Sequence, residues 1–164
     1  MAEELIIKGE TKEDRYRELL PQLEALMAAE SDPVARMANA AAALKETFGW
    51  LWVGFYRVVA DRLVLGPFQG PLACMSIRKG RGVCGTAWAE ERTIVVDDVD
   101  TFPGHIACSS ASRSEIVVPM MRCGACVGVL DIDSEKLSTF DETDACWLRR
   151  VADLITSPVS DPDV

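Results

Sequence analysis

Apolar positions at Tyr16, Leu19, Leu20, Leu23, Leu26 and Met27 recur at steps of three and four, the spacing of one helix face. Thr11, with Asp14 three residues on, marks the N-terminus of that helix. Pro21 is expected to kink or divide it, because proline brings no N–H to the helix ladder. A second helix starts after Asp32, with Pro33 in its first turn, and stops near Gly49. From there the period shortens. Residues 50–59 read as a strand paired with 62–66 across a tight turn at Ala60-Asp61. Short strands are expected at 74–77 and 93–96, with a short helix over 83–91 entered through Gly80 and Gly82. Residues 115–121 and 125–133 form a hairpin turning at Arg122-Cys123-Gly124. Asp141 caps a last helix whose stripe is Ala145, Leu148, Val151, Leu154 and Ile155.

Helices at both ends of an antiparallel sheet make an α+β sandwich. The chain has no internal repeat or linker, so residues 11–156 read as a single domain between flexible tails at 1–10 and 157–164. Between the elements lies a polar stretch from Asp97 to Ser114, longer than a compact domain keeps without a functional reason.

Charge narrows the classes of partner. The 164 residues carry 17 basic and 26 acidic side chains, a net of −9, which a phosphate backbone would be repelled by. No apolar run approaches the roughly 20 residues of a membrane helix, and the first ten residues lack the basic start and apolar stretch of a secretory signal. Nucleic acid and membrane are excluded as partners on this reading, and a cytoplasmic location is expected. Six cysteines at 74, 84, 108, 123, 126 and 146 are too few for a disulfide scaffold at this length.

The candidate chemistry starts on the strand Gly128-Val129-Leu130-Asp131-Ile132-Asp133. Alternation puts Asp131 and Asp133 on one face, with Leu130 and Ile132 on the other. Two acids on one face of an apolar strand are either solvated at the strand's end or gathered into a pocket, where an unpaired carboxylate costs several kcal/mol, of order. Glu115, which opens the preceding strand, can reach the same pocket or serve as a strand-edge charge beside Arg113. Trp52, Gly54 and Tyr56 also share a face. The loop holds the single histidine, His105, three residues before Cys108. A Cys-His pair lowers a thiol pKa, and Arg113 is an equal candidate source of positive potential. Cys74 and Cys84 lie in glycine-rich, loop-like surroundings that could let them approach one another. Cys74, Cys84, Cys108 and His105 could be gathered around zinc on paper, but their spacing matches no familiar zinc pattern. Cys123-Gly124-Ala125-Cys126 straddles a β-turn rather than a helix N-terminus and reads as incidental. Cys146 reads as a packing residue of the last helix.

Several segments occur in order: Trp52-Val53-Gly54-Phe55-Tyr56, Gly66-Pro67-Phe68-Gln69-Gly70, Gly80-Arg81-Gly82-Val83-Cys84-Gly85, Phe102-Pro103-Gly104-His105-Ile106, Ser112-Arg113-Ser114-Glu115-Ile116-Val117-Val118-Pro119 and Gly128-Val129-Leu130-Asp131-Ile132-Asp133-Ser134. Together they closely resemble the free methionine-(R)-sulfoxide reductase family, which is built on a GAF domain. The resemblance implies that Cys108 is the catalytic cysteine. It makes Cys74 the main resolving partner and Cys84 the alternate one. It also implies that Glu115, Asp131 and Asp133 are the pocket carboxylates, and that Trp52 and Tyr56 wall the substrate's methyl end. Cys123, Cys126 and Cys146 match no functional position of the family.

The resemblance further implies a reaction. Cys108 attacks the sulfoxide sulfur while a carboxylic acid of raised pKa protonates its oxygen. Methionine leaves, a sulfenic acid forms, and Cys74 or Cys84 condenses with it to a disulfide that thioredoxin reduces. No metal, flavin or nicotinamide cofactor is required, and a homodimer is expected. Two other readings stand beside this one: a GAF sensor that binds a small ligand without turnover, and a redox switch working through a disulfide to Cys108. Neither calls for three pocket carboxylates.

Overall fold

Six strands pair into one antiparallel sheet in the order β3-β2-β1-β6-β5-β4 in the computed structural model, which describes residues 4–106 and 108–158. The strands are β1 Trp52–Val59, β2 Arg62–Gln69, β3 Ser76–Arg78, β4 Ile94–Val96, β5 Ser114–Arg122 and β6 Ala125–Ser134. The helices are α1 Lys12–Met27, α2 Pro33–Phe48, α3 Gly82–Glu90 and α4 Glu142–Thr156. With a family-independent α+β layout of helices against an antiparallel sheet, the architecture is the one the periodicities imply.

Strand alternation divides the interior into two layers. Val53, Phe55, Ile116, Val118, Leu130 and Ile132 point to one face, where α1, α2 and α4 cover them with Leu19, Leu23, Leu44 and Leu148. Trp52, Tyr56, Val117 and Val129 point to the other, against Val83, Ala87 and Trp88 of α3. The first face is a packed core; the second is closed by one short helix and by loops. The pocket shared by Trp52, Tyr56 and the N-terminal end of α3 opens on that second face.

The helix ends follow their sequence signals. The Thr11 side chain accepts from the Asp14 amide, Asp32 caps α2 through the amides of Val34 and Ala35, and Asp141 with Asp144 forms a capping box on α4. Gly49 closes α2 in the left-handed conformation. Pro21 does not divide α1: the helix runs unbroken from Lys12 to Met27, with the proline on its exposed side and the buried face holding the helix together. Strand β2 runs three residues past its expected end at residue 66. A bulge beside Phe55 lets Gly66-Pro67 pass, after which Phe68 pairs with Gly54 and Gln69 with Val53. Leu154 is half-buried rather than part of the wholly buried stripe of α4.

Residues 4–10, expected as a tail, lie along α1: the Ile6 amide donates to Gln22 Oε1 at 2.9 Å, and the Gly9 amide to Glu18 Oε2 at 3.0 Å. Most of the C-terminal tail expected from residue 157 lies outside the described residues, as do residues 1–3. Among the described residues no helix is long and apolar enough to cross a membrane.

Candidate active site

The antiparallel register makes the acid cluster. On β6, Asp131 pairs with Gly54 of β1 and Val117 of β5, and Asp133 pairs with Trp52 and Glu115. All three acids therefore emerge on the face toward α3, beside Trp52 and Tyr56. Glu115 and Asp131 are buried, and Asp133 sits at the pocket rim with its Oδ1 accepting from Ser112 Oγ at 2.5 Å. Among the described residues no lysine or arginine pairs with any of them; the basic side chain that approaches them is His105, with Nε2 3.7 Å from Glu115 Oε2 and an imidazole pKa lowered by burial. Asp131 Oδ1 is buried, and the hydrogen bonds of its carboxyl come only from Glu115 and Cys84 within the cluster.

Such crowding has an electrostatic consequence. Burial, and then the charges of Asp131 and Asp133, hold the Glu115 carboxyl well above the usual carboxylate range. Burial and the charge of Asp133 do the same to Asp131. Asp133 is pushed up to about 6 by burial, against the opposing pull of the Ser112 hydroxyl. Two acids with raised proton affinity thus sit beside one that titrates at about 6.

Two thiols, Cys84 and Cys108, line the pocket with this cluster, and Cys74 neighbours Cys108 outside the lining. Cys84 stands in the first turn of α3, not in a loop, and is fully buried; burial and the charges of Asp131 and Glu115 raise its pKa. Cys108 lines the same pocket as the three acids. Partial burial of its sulfur, and then the neighbouring Cys74, push its pKa up to about 12, so the thiol is protonated near neutral pH. The Cys74 loop is tied to the aromatic wall: Tyr56 Oη donates to the Cys74 carbonyl at 2.9 Å and Trp52 Nε1 to the Pro71 carbonyl at 3.0 Å. All six cysteines are free.

The aromatic wall depends on one glycine. Trp52 stacks on Phe68 with ring centroids 5.3 Å apart and faces Tyr56 at 6.0 Å. A side chain at Gly54 would place its Cβ 2.4 Å from both Trp52 Cη2 and Phe68 Cβ, so only glycine allows the indole to fold over the strand there. Opposite the wall, Gly82, Val83 and Cys84 bring the N-terminal end of α3 to the pocket. Arg81, at the N-cap, makes no side-chain cap, which leaves the first amides of the helix available to an anion.

Two sequence expectations need correction and one does not concern the pocket. His105 was a candidate activator of Cys108; its imidazole instead approaches Glu115, and the groups acting most on the Cys108 thiol belong to Cys74. Arg113 as a source of positive potential is exposed outside the pocket, whereas Arg81 lines it. Cys146 is exposed on α4 rather than a packing residue. The Cys123-Gly124 pair is a tight hairpin turn with both residues at positive φ, away from the site. Ser112, Arg81 and Ile106 are pocket residues that sequence reasoning missed; none belongs to a periodic stretch. The side-chain ligand atoms of Cys84, Glu115 and Asp131 lie within 4.8 Å of one another, close enough to share a metal ion.

The GAF domain family matches residues 30–157. A solved free methionine-R-sulfoxide reductase of Neisseria meningitidis, in complex with its substrate, is 59% identical, with a TM-score of 0.92 over 93% of each chain. This chain belongs to the free methionine-R-sulfoxide reductase family. Within it, the Escherichia coli protein of that name is 46% identical over 141 residues, 85% of this chain and 86% of that protein. The GAF domain-containing protein A of Dictyostelium discoideum is 56% identical over 94% of this chain and 99% of its own. The six-stranded sheet with helices packed against it is thus a GAF fold, as the resemblance implied.

Proposed function

We propose that the protein reduces free L-methionine-(R)-sulfoxide to L-methionine, with Cys108 as nucleophile. The observation that carries this reading is that Cys108 lines one pocket together with Glu115, Asp131 and Asp133. Asp133, ionised above about pH 6, and the carboxyls beside it attract the substrate's ammonium group. The free end of α3 accepts its carboxylate. Trp52 and Tyr56 pack against the methyl end. A zwitterion needs both charged groups free, so a methionine sulfoxide inside a polypeptide is refused.

Binding changes the electrostatics in the direction the chemistry needs. An ammonium among the acids opposes the burial, and offsets the lesser charge of Asp131, that together keep the Cys108 thiol protonated. The sulfur then attacks the sulfoxide sulfur, while Glu115 or Asp131, held neutral, protonates the oxygen. Methionine departs and oxygen stays on Cys108 as a sulfenic acid. Cys74, or in its place Cys84, displaces that oxygen as water and forms a disulfide. Thioredoxin reduces the disulfide by exchange. The protein acts in the cytoplasm as a homodimer.

The separate epimers of methionine sulfoxide, each incubated with the protein and dithiothreitol, test this by methionine released. Turnover of the R epimer alone is expected. No release from the R epimer by fully reduced protein turns the reading to a ligand sensor.

A further inference from the structure

Most carboxylate clusters on a protein surface are solvated and screened by water. This one is buried, pairs with no lysine or arginine among the described residues, and leaves Asp131 Oδ1 with no donor from outside the cluster of Glu115, Asp131 and Cys84. A buried acceptor with no outside donor aims at something that is not yet there. Opposite it stands a buried thiol, Cys84, from a different element. A thiol, two carboxylates and an imidazole are the donor set of a borderline metal such as zinc; a hard cation such as calcium or magnesium prefers oxygen alone.

We infer that the pocket binds a zinc-class divalent ion through Cys84, Glu115 and Asp131, with His105 as the fourth ligand, and that this ion blocks the substrate. Three of the four ligands are already gathered. The Cys84, Glu115 and Asp131 donor atoms fall within 4.8 Å of one another, and His105 Nε2 lies 3.7 Å from Glu115 Oε2. Ligands of a tetrahedral zinc at about 2.0–2.3 Å are roughly 3.3–3.8 Å apart, so a small contraction brings Cys84, Glu115 and Asp131 to bonding positions, and His105, which lies outside that mutual distance, completes the set by movement of its loop. Glu115 and Asp131 sit on adjacent central strands and Cys84 on a helix, which gives three ligands rigid support; His105 comes from the loop that also carries Cys108. Coordination releases to solvent the Cys84 proton and those held by Glu115 and Asp131, and no electron changes hands.

The inhibition rests on the functional reading above, because the metal would occupy the acids that otherwise receive the substrate's ammonium. The metal site itself does not. Cobalt(II), added to fully reduced protein without substrate, is the probe: a thiolate ligand gives it a near-ultraviolet charge-transfer band, and zinc displaces it. The band is expected in the wild type, in Cys74→Ala and in Cys108→Ala, and is lost in Cys84→Ala. Asp131→Asn, which keeps every thiol, weakens cobalt binding at least tenfold. No band in the wild type, a band surviving in Cys84→Ala, or unchanged affinity in Asp131→Asn overturns the site. With metal removed by chelation, turnover of the R epimer is measured separately. A cobalt band in a protein that releases no methionine supports the site and overturns the functional reading. Normal turnover that zinc at band-saturating levels leaves undiminished overturns the inhibition.

Discussion

Replacing Asp133 with asparagine should make the free protein more stable at neutral pH, although it damages the site. The folded chain holds the Asp133 proton with a pKa of about 6, against 3.8 for an unperturbed aspartate. A shift of about two units corresponds to roughly 3 kcal/mol between the two protonation states. The sign follows from which state keeps the proton. Folded chains bind it more tightly, so the stabilisation is complete below the unfolded value and is lost as pH rises through about 6. Asparagine resembles the protonated acid and can still accept from Ser112. Its advantage over wild type should therefore be largest at pH 8 and fall to about half by pH 5. The rim position of Asp133 allows some screening by water, which brings the expected gain at pH 8 to about 1–3 kcal/mol. That is roughly 2–10 °C in Tm for a domain of this size. Thermal and urea unfolding of both proteins at the two pH values, with metal chelated, measures it. Lower stability of Asp133→Asn at pH 8, or a gain that does not change with pH, refutes the idea that the acids are crowded at the expense of stability.

Three further outcomes are expected. Cys74→Ser should release methionine in a first turnover yet lose most of its recycling by thioredoxin, read as a burst without a steady rate; full steady turnover would remove Cys74 as the main resolving residue. Gly54→Ala should cost about 1–3 kcal/mol by driving its new methyl into Trp52 and Phe68, and should raise KM more than it lowers kcat, as denaturation and steady-state kinetics can show. Lys12→Ala removes the cation 2.5 Å from the wholly buried Asp144, which also accepts from Tyr16 Oη at 2.7 Å. It should lower stability by about 2–3 kcal/mol with kcat unchanged, because that network lies on the far side of the sheet from the pocket.

What the chain disclosed beforehand was what strand and helix periods encode. A period of two placed Asp131 and Asp133 together and put Trp52 with Tyr56, and the hairpin turn at Cys123-Gly124 fixed the register that brings Glu115 opposite Asp133. Loop geometry has no such period. Nothing in Ser109-Ser110-Ala111-Ser112 marks Ser112 as the one that binds Asp133, and three residues between His105 and Cys108 say little about where either side chain points. Glycine-rich flanks suggested a mobile Cys84, but tertiary packing against the sheet makes the same glycines the tight entrance to α3. Pro21 was misleading for a related reason: burial of Leu19, Leu20 and Leu23 outweighs the missing hydrogen bond.

The most direct test of the account is a single turnover without any reductant. Fully reduced protein, mixed with excess methionine-(R)-sulfoxide, should release close to one methionine per chain in the first burst and become lighter by two hydrogen atoms, with peptide mapping joining Cys108 to Cys74. The same burst from Cys108→Ser, or a new bond between Cys123 and Cys126 with the Cys108 thiol still free, would contradict it.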